Sequence, residues 1–380
     1  MLEAVRGGTS RHVADVVRHA GGSIHHVALP TAPGAGAAGA VGGGTGAAVG
    51  GALYDEAAVE RMRTDGAVIH HVDMRRDPLH LANGRAVLSL RALIGRVRPD
   101  VVHGHSSVGG ALARVAGRAA RVPVAYTANG VATETAYRLA ERGLGRWTWR
   151  WVAVSGSEAA LASRLGLVAA ERLITIPNGI DLAAPPPGPD LRQLLGVPAG
   201  TRLVGTVARL VPQKAPLDFV RVAAAVPEAH FVLIGMGPLQ PDVDAEVDRL
   251  GLRPRWHQIE HVEDAATVLA HLDVFILASA FEGAPYTPLE AMRAGVPVVL
   301  SDVVGNRDVI VDGHSGLLAP AGDIERLSAE VRRLLDDPGL AKALTDAARH
   351  RLAERFDVVA MGRALAALYA SAGGRPGGPR

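Results

Sequence analysis

Cysteine is absent from this 380-residue chain, which excludes disulfides and thiolate metal sites and is compatible with a reducing cytoplasm. Lysine is nearly absent as well: Lys214 and Lys342 stand beside 38 arginines. Aromatic residues make up only 4% of the chain. No apolar run approaches the roughly 20 residues needed to cross a bilayer, and the N-terminus lacks the charged-then-apolar layout of a secretory signal. The expectation is a cytoplasmic protein, soluble or peripheral to a membrane. No G-K-[ST] occurs, which excludes a P-loop. No basic run interleaves with aromatics in a recognised module, so nucleic acid is not expected as a partner.

What is present is Ala, Val and Leu, within a hydrophobic share of 48%, together with 45 glycines. That composition suits close-packed parallel sheets covered by helices, and the length favours two domains over one. Charge is unevenly placed. Residues 1–181 hold 20 arginines and no lysine against 14 acids, whereas residues 182–380 hold 20 basic residues against 24 acids. A basic first half suits an anionic partner such as a phosphorylated acceptor or an anionic membrane surface; a coding bias toward Arg is the alternative.

Short β-branched runs alternate with amphipathic Ala/Leu/Arg helices. "HHVALPT", "AVIHHVDM", "DVVHGH", "PVAYTAN" and "WVAVS" read as strands in the first half, and "RLVGTVAR", "HFVLIGM", "VFILAS" and "PVVLSD" in the second. Helices fall between them, among them 111–120, 216–225 and 324–335. The pattern predicts an α/β chain of two doubly wound parallel sheets. Three consecutive prolines in "AAPPPGPD" break it. The expected division is a first domain over 1–182, a linker over 183–200, a second domain over 201–354, a helix over 355–371 and a disordered tail over 372–380. The Gly/Ala tract 34–51 is expected to be a mobile loop. Only "MLEAV" precedes the turn at Gly7 and Gly8, which is short for a central strand; the expectation is that the first strand is truncated and its natural start lies upstream.

The pattern G-x-G-x-x-G at Gly34, Gly36 and Gly39 is a decoy, because no apolar-periodic helix follows it. "GMGP" at 235–238 follows a good strand but has Gln240 at the third glycine, so it does not read as a nicotinamide site. Two other turns have strand–turn–helix context: Gly7 and Gly8, with Thr9 and Ser10 as caps, and Gly109 and Gly110 in "HGHSSVGGALAR". Helix N-termini at the carboxyl ends of strands favour anions; tight βα packing is the alternative for either alone.

In "GTVARLVPQKAPLDFV", Arg209 and Lys214 lie five apart across a turn. A lysine in an arginine-rich chain suits a point charge directed at phosphate, with a solvated pair as the alternative. In "FEGAPYTPLEAMRAGVPVV", Glu282 stands in an exit loop and Glu290 on a helix running from about Tyr286 to Arg293 and ended by Gly295. Pro285 suits its first position and leaves the Gly283 and Ala284 amides pointing outward. Ionised carboxylates in an apolar setting need partners. A separation on the order of 10 Å is too great for a shared proton and suits two ends of an extended polyhydroxyl ligand such as a nucleotide sugar, each carboxylate accepting from hydroxyls. A cap at Glu282 and a backbone bond at Glu290 are the alternative.

The E-x7-E element Glu282 to Glu290, with "GTVARLVPQKAPLDFV", "ITIPNGID", "AVSGSEA", "DVVHGHSSVGG", "PVAYTANG" and "VDGHSGLLAPAGD", resembles the retaining glycosyltransferases of family 4, over nearly the whole chain. The nearest pattern is that of bacterial cell-surface and exopolysaccharide transferases. The resemblance implies the GT-B architecture: two Rossmann-like domains facing a cleft, with a C-terminal helix crossing back to the first. It implies that Arg209 and Lys214 hold the donor diphosphate, Glu290 the ribose hydroxyls and Glu282 the transferred sugar. By the same resemblance, Gly283, Ala284, Pro285 and Tyr286 line sugar and phosphate, Val262 meets the base, and Gly8 approaches the diphosphate. Thr9 and His105 are acceptor-side positions; for His105 a core or strand-end histidine is the alternative.

Asn129 stands where many relatives have a sugar-contacting His, Val108 replaces a usual Lys, and Ala215 replaces the glycine after the lysine. The implied reaction is transfer of a hexose from a UDP- or GDP-sugar to a hydroxyl of a lipid-linked or glycan acceptor, with retention and without a metal or other cofactor. A sugar-nucleotide epimerase or hydrolase of the same fold, or a non-catalytic binder, are the alternatives. "ERGLGRWTWRWVAVS" mixes Arg142, Arg146 and Arg150 with three tryptophans, a composition suited to contact with an anionic membrane; burial of at least one tryptophan in the core is the alternative.

Overall fold

Within the strand Val274–Leu277, successive side chains face opposite ways. Val274 and Ile276 enter one apolar cluster with Phe219, Phe231 and Leu327, while Phe275 and Leu277 enter another with Leu289, Met292 and Leu352. A strand buried on both faces is what a parallel sheet sandwiched between helices requires. The computed structural model describes residues 8–30, 56–75, 77–131, 134–183, 188–260, 262 and 265–373. The chain divides into two compact units, Met1–Asn178 with Val358–Arg380, and Gly179–Asp357.

In the first unit, β1 (His26–Pro30) and β2 (Val68–Val72) form a two-stranded parallel sheet. β3 (Val102–His105), β4 (Val124–Thr127), β5 (Arg150–Ala153) and β6 (Leu173–Thr175) form a four-stranded parallel sheet in that order. A buried ion pair braces this unit. Arg114, on helix Ser107–Ala120, donates twice to Glu141 on helix Thr135–Gly145, at 2.7 and 2.8 Å. Its guanidinium also lies 3.8 Å from the centre of the Tyr126 ring.

In the second unit, β7 (Leu203–Val207), β8 (His230–Ile234), β9 (Trp256–Ile259), β10 (Val274–Leu277), β11 (Val298–Ser301) and β12 (Leu317–Ala319) form one parallel sheet, ordered β12-β11-β10-β7-β8-β9. The chain moves outward from β7 in one direction and then restarts at β10 on its other side. The gap between the carboxyl ends of β7 and β10 is therefore the switch point at which open α/β sheets bind ligands.

Several boundaries differ from the sequence reading. Residues 188–200 of the expected linker belong to the second unit: Asp190 caps the helix Leu191–Leu195, Leu191 is fully buried in that unit's core, and Arg192 reaches Asp273 at 2.7 Å. Hydrophobic burial and a buttressed arginine hold the stretch where proline content alone pointed to a spacer. The last helix is Val358–Gly373 rather than 355–371. It packs Met361, Leu365 and Leu368 against Val16, Ala20, Val152 and Ile176 of the first unit. Residues 1–7 (the short first strand), 31–55 (the Gly/Ala tract), 184–187 of the proline run and 374–380 of the tail lie outside the described residues.

Candidate functional site

At the switch point β7 leads into Ala208 and Arg209, and β10 leads into Ser279 and Glu282. The short 3-10 turn Pro212–Lys214 folds back over the second of these loops. The amide of Ala280 donates to the Gln213 carbonyl at 2.8 Å, and the Gln213 side chain donates to the Phe281 carbonyl at 3.2 Å. This pinning brings Lys214 Nζ to 2.5 Å from Glu282 Oε1. Glu282 is buried, at 6% exposure. Its carboxylate also accepts from Ser279 Oγ at 2.6 Å and from Gln213 Nε2 at 3.5 Å. The partners of this buried acid are thus side chains of its own unit, not an awaited ligand alone. Arg209 is exposed beside this loop and Glu290 is buried, at 7%.

The helix Tyr286–Ala294 starts immediately after this loop and ends at Gly295 in the left-handed region. Pro285, with ψ 138°, is its cap rather than its first helical residue; the extended ψ turns the chain out of the helix. Pro288 falls in the first turn, where a backbone donor has no intrahelical acceptor in any case. Gly283, Pro285 and Tyr286 are buried and Ala284 is half-buried. Val262 is half-buried and packs against the same core cluster as Tyr286.

A polar ladder beneath Glu282 escaped the sequence reading. Asn306 Nδ2 donates to the Ser301 carbonyl at 2.8 Å, Ser301 Oγ donates to the Ser279 carbonyl at 2.5 Å, and Ser279 Oγ donates to Glu282. All three residues are fully buried. Gly305 completes the seat: a Cβ there would lie 2.4 Å from the Gly283 carbonyl oxygen, and its φ is +89°. On the Arg209 side, a Cβ at Gly235 would meet the Ala208 carbonyl at 2.1 Å, and one at Gly237 the Leu210 carbonyl at 2.5 Å. The "GMGP" turn therefore exists to let backbone lie on the Arg209 loop. Such dependence was accessible only as glycines without a named partner.

In the first unit, the carboxyl ends of β3 and β4 carry the remaining candidates. The helix Gly8–His19 begins at Gly8, so Thr9 and Ser10 lie inside its first turn rather than capping it. Gly110 serves packing: a Cβ would stand 2.1 Å from Tyr126 Cε2. That steric demand is enough to account for this glycine. His105 is buried among His12 and His103, with ring centres 5.4 and 4.1 Å away. Burial pushes the pKa of His12 down to about 4 and those of His103 and His105 well below the ordinary value. All three rings are therefore neutral near pH 7, and His105 offers a hydrogen bond rather than a charge.

Two non-glycine residues here hold left-handed backbone. Ser106 has φ +60° with ψ 179°, and Asn129 has φ +57°. Asn tolerates this region through its short polar side chain, whereas the Ser106 conformation belongs almost wholly to glycine and marks stored strain. The Asn129 amide Nδ2 is buried and makes no hydrogen bond among the described residues. Glu158 fixes this loop from behind. It is fully buried on the first turn of helix Gly156–Arg164, and its Oε2 accepts from the Gly130 amide at 3.0 Å. The S-x-x-E spacing from Ser155 to Glu158 carried the signal, since it reads as a helix capping box.

These observations agree with comparison to known proteins. A family model described as "Glycosyltransferase Family 4" matches residues 6–184 and one described as "Glycosyl transferases group 1" matches residues 189–351. The chain is 31% identical to a D-inositol 3-phosphate glycosyltransferase of Thermobispora bispora, over 75% of this chain and 74% of that protein. It is 29% identical to an Escherichia coli UDP-Gal:alpha-D-GlcNAc-diphosphoundecaprenol alpha-1,3-galactosyltransferase, over 72% and 76%. The crystal structure of Anabaena HepE in complex with UDP and glucose superposes with a TM-score of 0.80 at 19% identity, over 97% of this chain and 98% of that one. With two parallel-sheet units and a charged switch-point site in the second, the chain belongs to glycosyltransferase family 4 and has the GT-B fold.

Proposed function

We propose that this glycosyltransferase moves a hexose from a UDP- or GDP-sugar to a hydroxyl of a lipid-linked or cell-surface glycan precursor, with anomeric configuration retained and without a metal. The observation that carries this reading is the buried Glu282 carboxylate set against Lys214 at the switch point of the second unit. Lys214 and Arg209 supply cationic groups for a departing diphosphate, Glu282 accepts from the hydroxyls of the transferred sugar, and Glu290 from those of the ribose. Arrival of the donor gives the Lys214 ammonium a phosphate in place of its carboxylate, which releases Glu282 toward the sugar. The backbone from Gly283 to Tyr286, leading into the helix, and Val262 complete the donor side of that unit. By the resemblance, Asn129 and Gly8 are assigned to the donor and Thr9 and His105 to the acceptor; the buried Asn129 amide makes no hydrogen bond among the described residues.

The names of the relatives support the donor and acceptor classes: the E. coli protein is named for UDP-galactose and a diphosphoundecaprenol-linked sugar, and HepE was crystallised with UDP and glucose. On this reading the protein works as a peripheral enzyme at the inner face of the membrane. The test is incubation with UDP- and GDP-hexoses and a lipid-linked acceptor. The expected product is a glycosylated lipid of retained configuration by NMR, formed equally well in EDTA. Glu282→Ala should lower turnover by about 10²–10³-fold in a variant whose circular dichroism is unchanged. Free sugar in place of glycosylated lipid, loss of activity in EDTA, or full activity in Glu282→Ala would each contradict the corresponding part.

A further inference from the structure

At the amino-terminal end of the four-stranded sheet, where β4 and β5 begin, lies a pocket of about 560 Å³ bordered by Arg118, Arg121, Arg146, Arg150 and Arg172. A four-residue strand spans about 13 Å, so this pocket is separated by the depth of the sheet from the carboxyl-end loops of the first unit. Among the described residues Glu171 is the only acid on its wall and none of the five arginines forms an ion pair. Other surface arginines do find carboxylates, as Arg249 does with Glu246 and Arg253 with Asp248. Five unneutralised guanidinium groups around one concavity repel one another and favour an anion among them.

The walls are held in place before any ligand arrives. Arg172 Nη1 donates to the backbone carbonyls of Arg146 at 3.0 Å and Thr148 at 3.1 Å. Arg150 lies over the Trp149 ring at 5.3 Å and donates to the Trp149 carbonyl at 3.3 Å. Arg118, Arg121 and Arg146 are exposed around the rim. Trp147, at the mouth, is 43% exposed, while Trp151, four residues later, is fully buried against Tyr126. Guanidinium forks match the oxygens of a phosphate group. An exposed indole beside them adds an apolar body with a polar edge, the combination that settles at the headgroup level of a bilayer. A free phosphate has no use for the indole.

We infer that this pocket is a binding site for the phosphate of an anionic phospholipid headgroup, with Trp147 entering the adjoining interface. The assignment is independent of the sugar-transfer reading, because it uses no residue of the switch-point site. The full chain is mixed with phosphatidylglycerol/phosphatidylcholine vesicles or with pure phosphatidylcholine vesicles and floated through a density gradient. Flotation with the anionic vesicles only, weakening as salt rises, is expected. The triple variant Arg118→Ala, Arg121→Ala, Arg146→Ala should bind them at least tenfold more weakly, and Trp147→Ala should weaken binding severalfold. The altered side chains are exposed, and a thermal melt checks that both variants fold. Undiminished flotation of the triple variant overturns the site, as does failure of the native chain to float. Protection by inorganic phosphate in solution without any vesicle binding overturns the lipid assignment.

Discussion

Lys214 and Glu282 show how a single pair resolves the cost of burying a carboxylate: the acid is neutralised by one of the chain's two lysines and hydrogen-bonded by Ser279. The sequence made both residues visible, as a basic pair after one strand and an acidic pair after another. It did not reveal that they meet, because 68 residues separate them and only the pairing of β7 with β10 brings their loops together. Ala215 follows immediately, with φ +45° and ψ 53°. A left-handed L-residue costs roughly 1–2 kcal/mol, and glycine's larger loss of backbone freedom offsets roughly 0.5–1 kcal/mol of any gain. Ala215→Gly is therefore expected to raise the urea midpoint of unfolding by an increment equivalent to about 0.5–1 kcal/mol. A lowered midpoint would show that the residue sits there without strain.

Elements with strong periodicity were legible. The helix Pro216–Ala225 and the strand Val274–Leu277 fall where the pattern put them. The strands β6, β9 and β12 were not: they are three or four residues long, and β9 reads "WHQI", with two polar residues in its four. They form because neighbouring parallel strands supply the ladder, which local pattern does not encode. The support beneath the site was equally hidden, since Ser279 follows β10 whereas Ser301 ends β11 and Gly305 and Asn306 lie in the connection after it. Gly305 is where this support is most sensitive. Gly305→Ala meets both an unfavourable φ and the Gly283 carbonyl, so a loss of about 1–3 kcal/mol is expected, read by chemical denaturation. Calorimetry with UDP should show weakened binding as the Glu282–Gly283 loop shifts; wild-type stability and affinity together would remove Gly305 from the site.

At the scale of the whole molecule, the division into two units was readable from two strand–helix series and the proline run, but the boundary was not. Leu191 and Arg192 draw the expected spacer into the second unit, and the last helix belongs with the first. The two units also differ in how they meet acid. His12, His103 and His105 are buried in the first and held neutral by desolvation, whereas an unfolded histidine titrates near 6.5. Between pH 6.5 and about 4 the unfolded chain binds more protons at His12, so stability present above pH 6.5 is lost as pH falls through that window. For His12 alone the difference amounts to about 3 kcal/mol. The lowered groups of the second unit, His230 and His257, are half-buried and contribute less. Hydrogen exchange at pH 7.5 and pH 5 should show protection falling first in Gly8–His19 and β3; equal loss in both units would refute the histidine origin.

The scarcity of lysine has a further consequence. Lys214 has its amine closed against Glu282, whereas Lys342 stands open to solvent on the helix Pro338–Arg355, with side-chain exposures of 16% and 76%. Apart from the α-amino group, these two supply all the primary amines of the chain. Among the lysines an acylating reagent thus meets one sheltered target and one open target, and the sheltered one lies at the switch point. Its rate of modification is a reporter of that site that needs no substitution, no label and no knowledge of the sugar transferred.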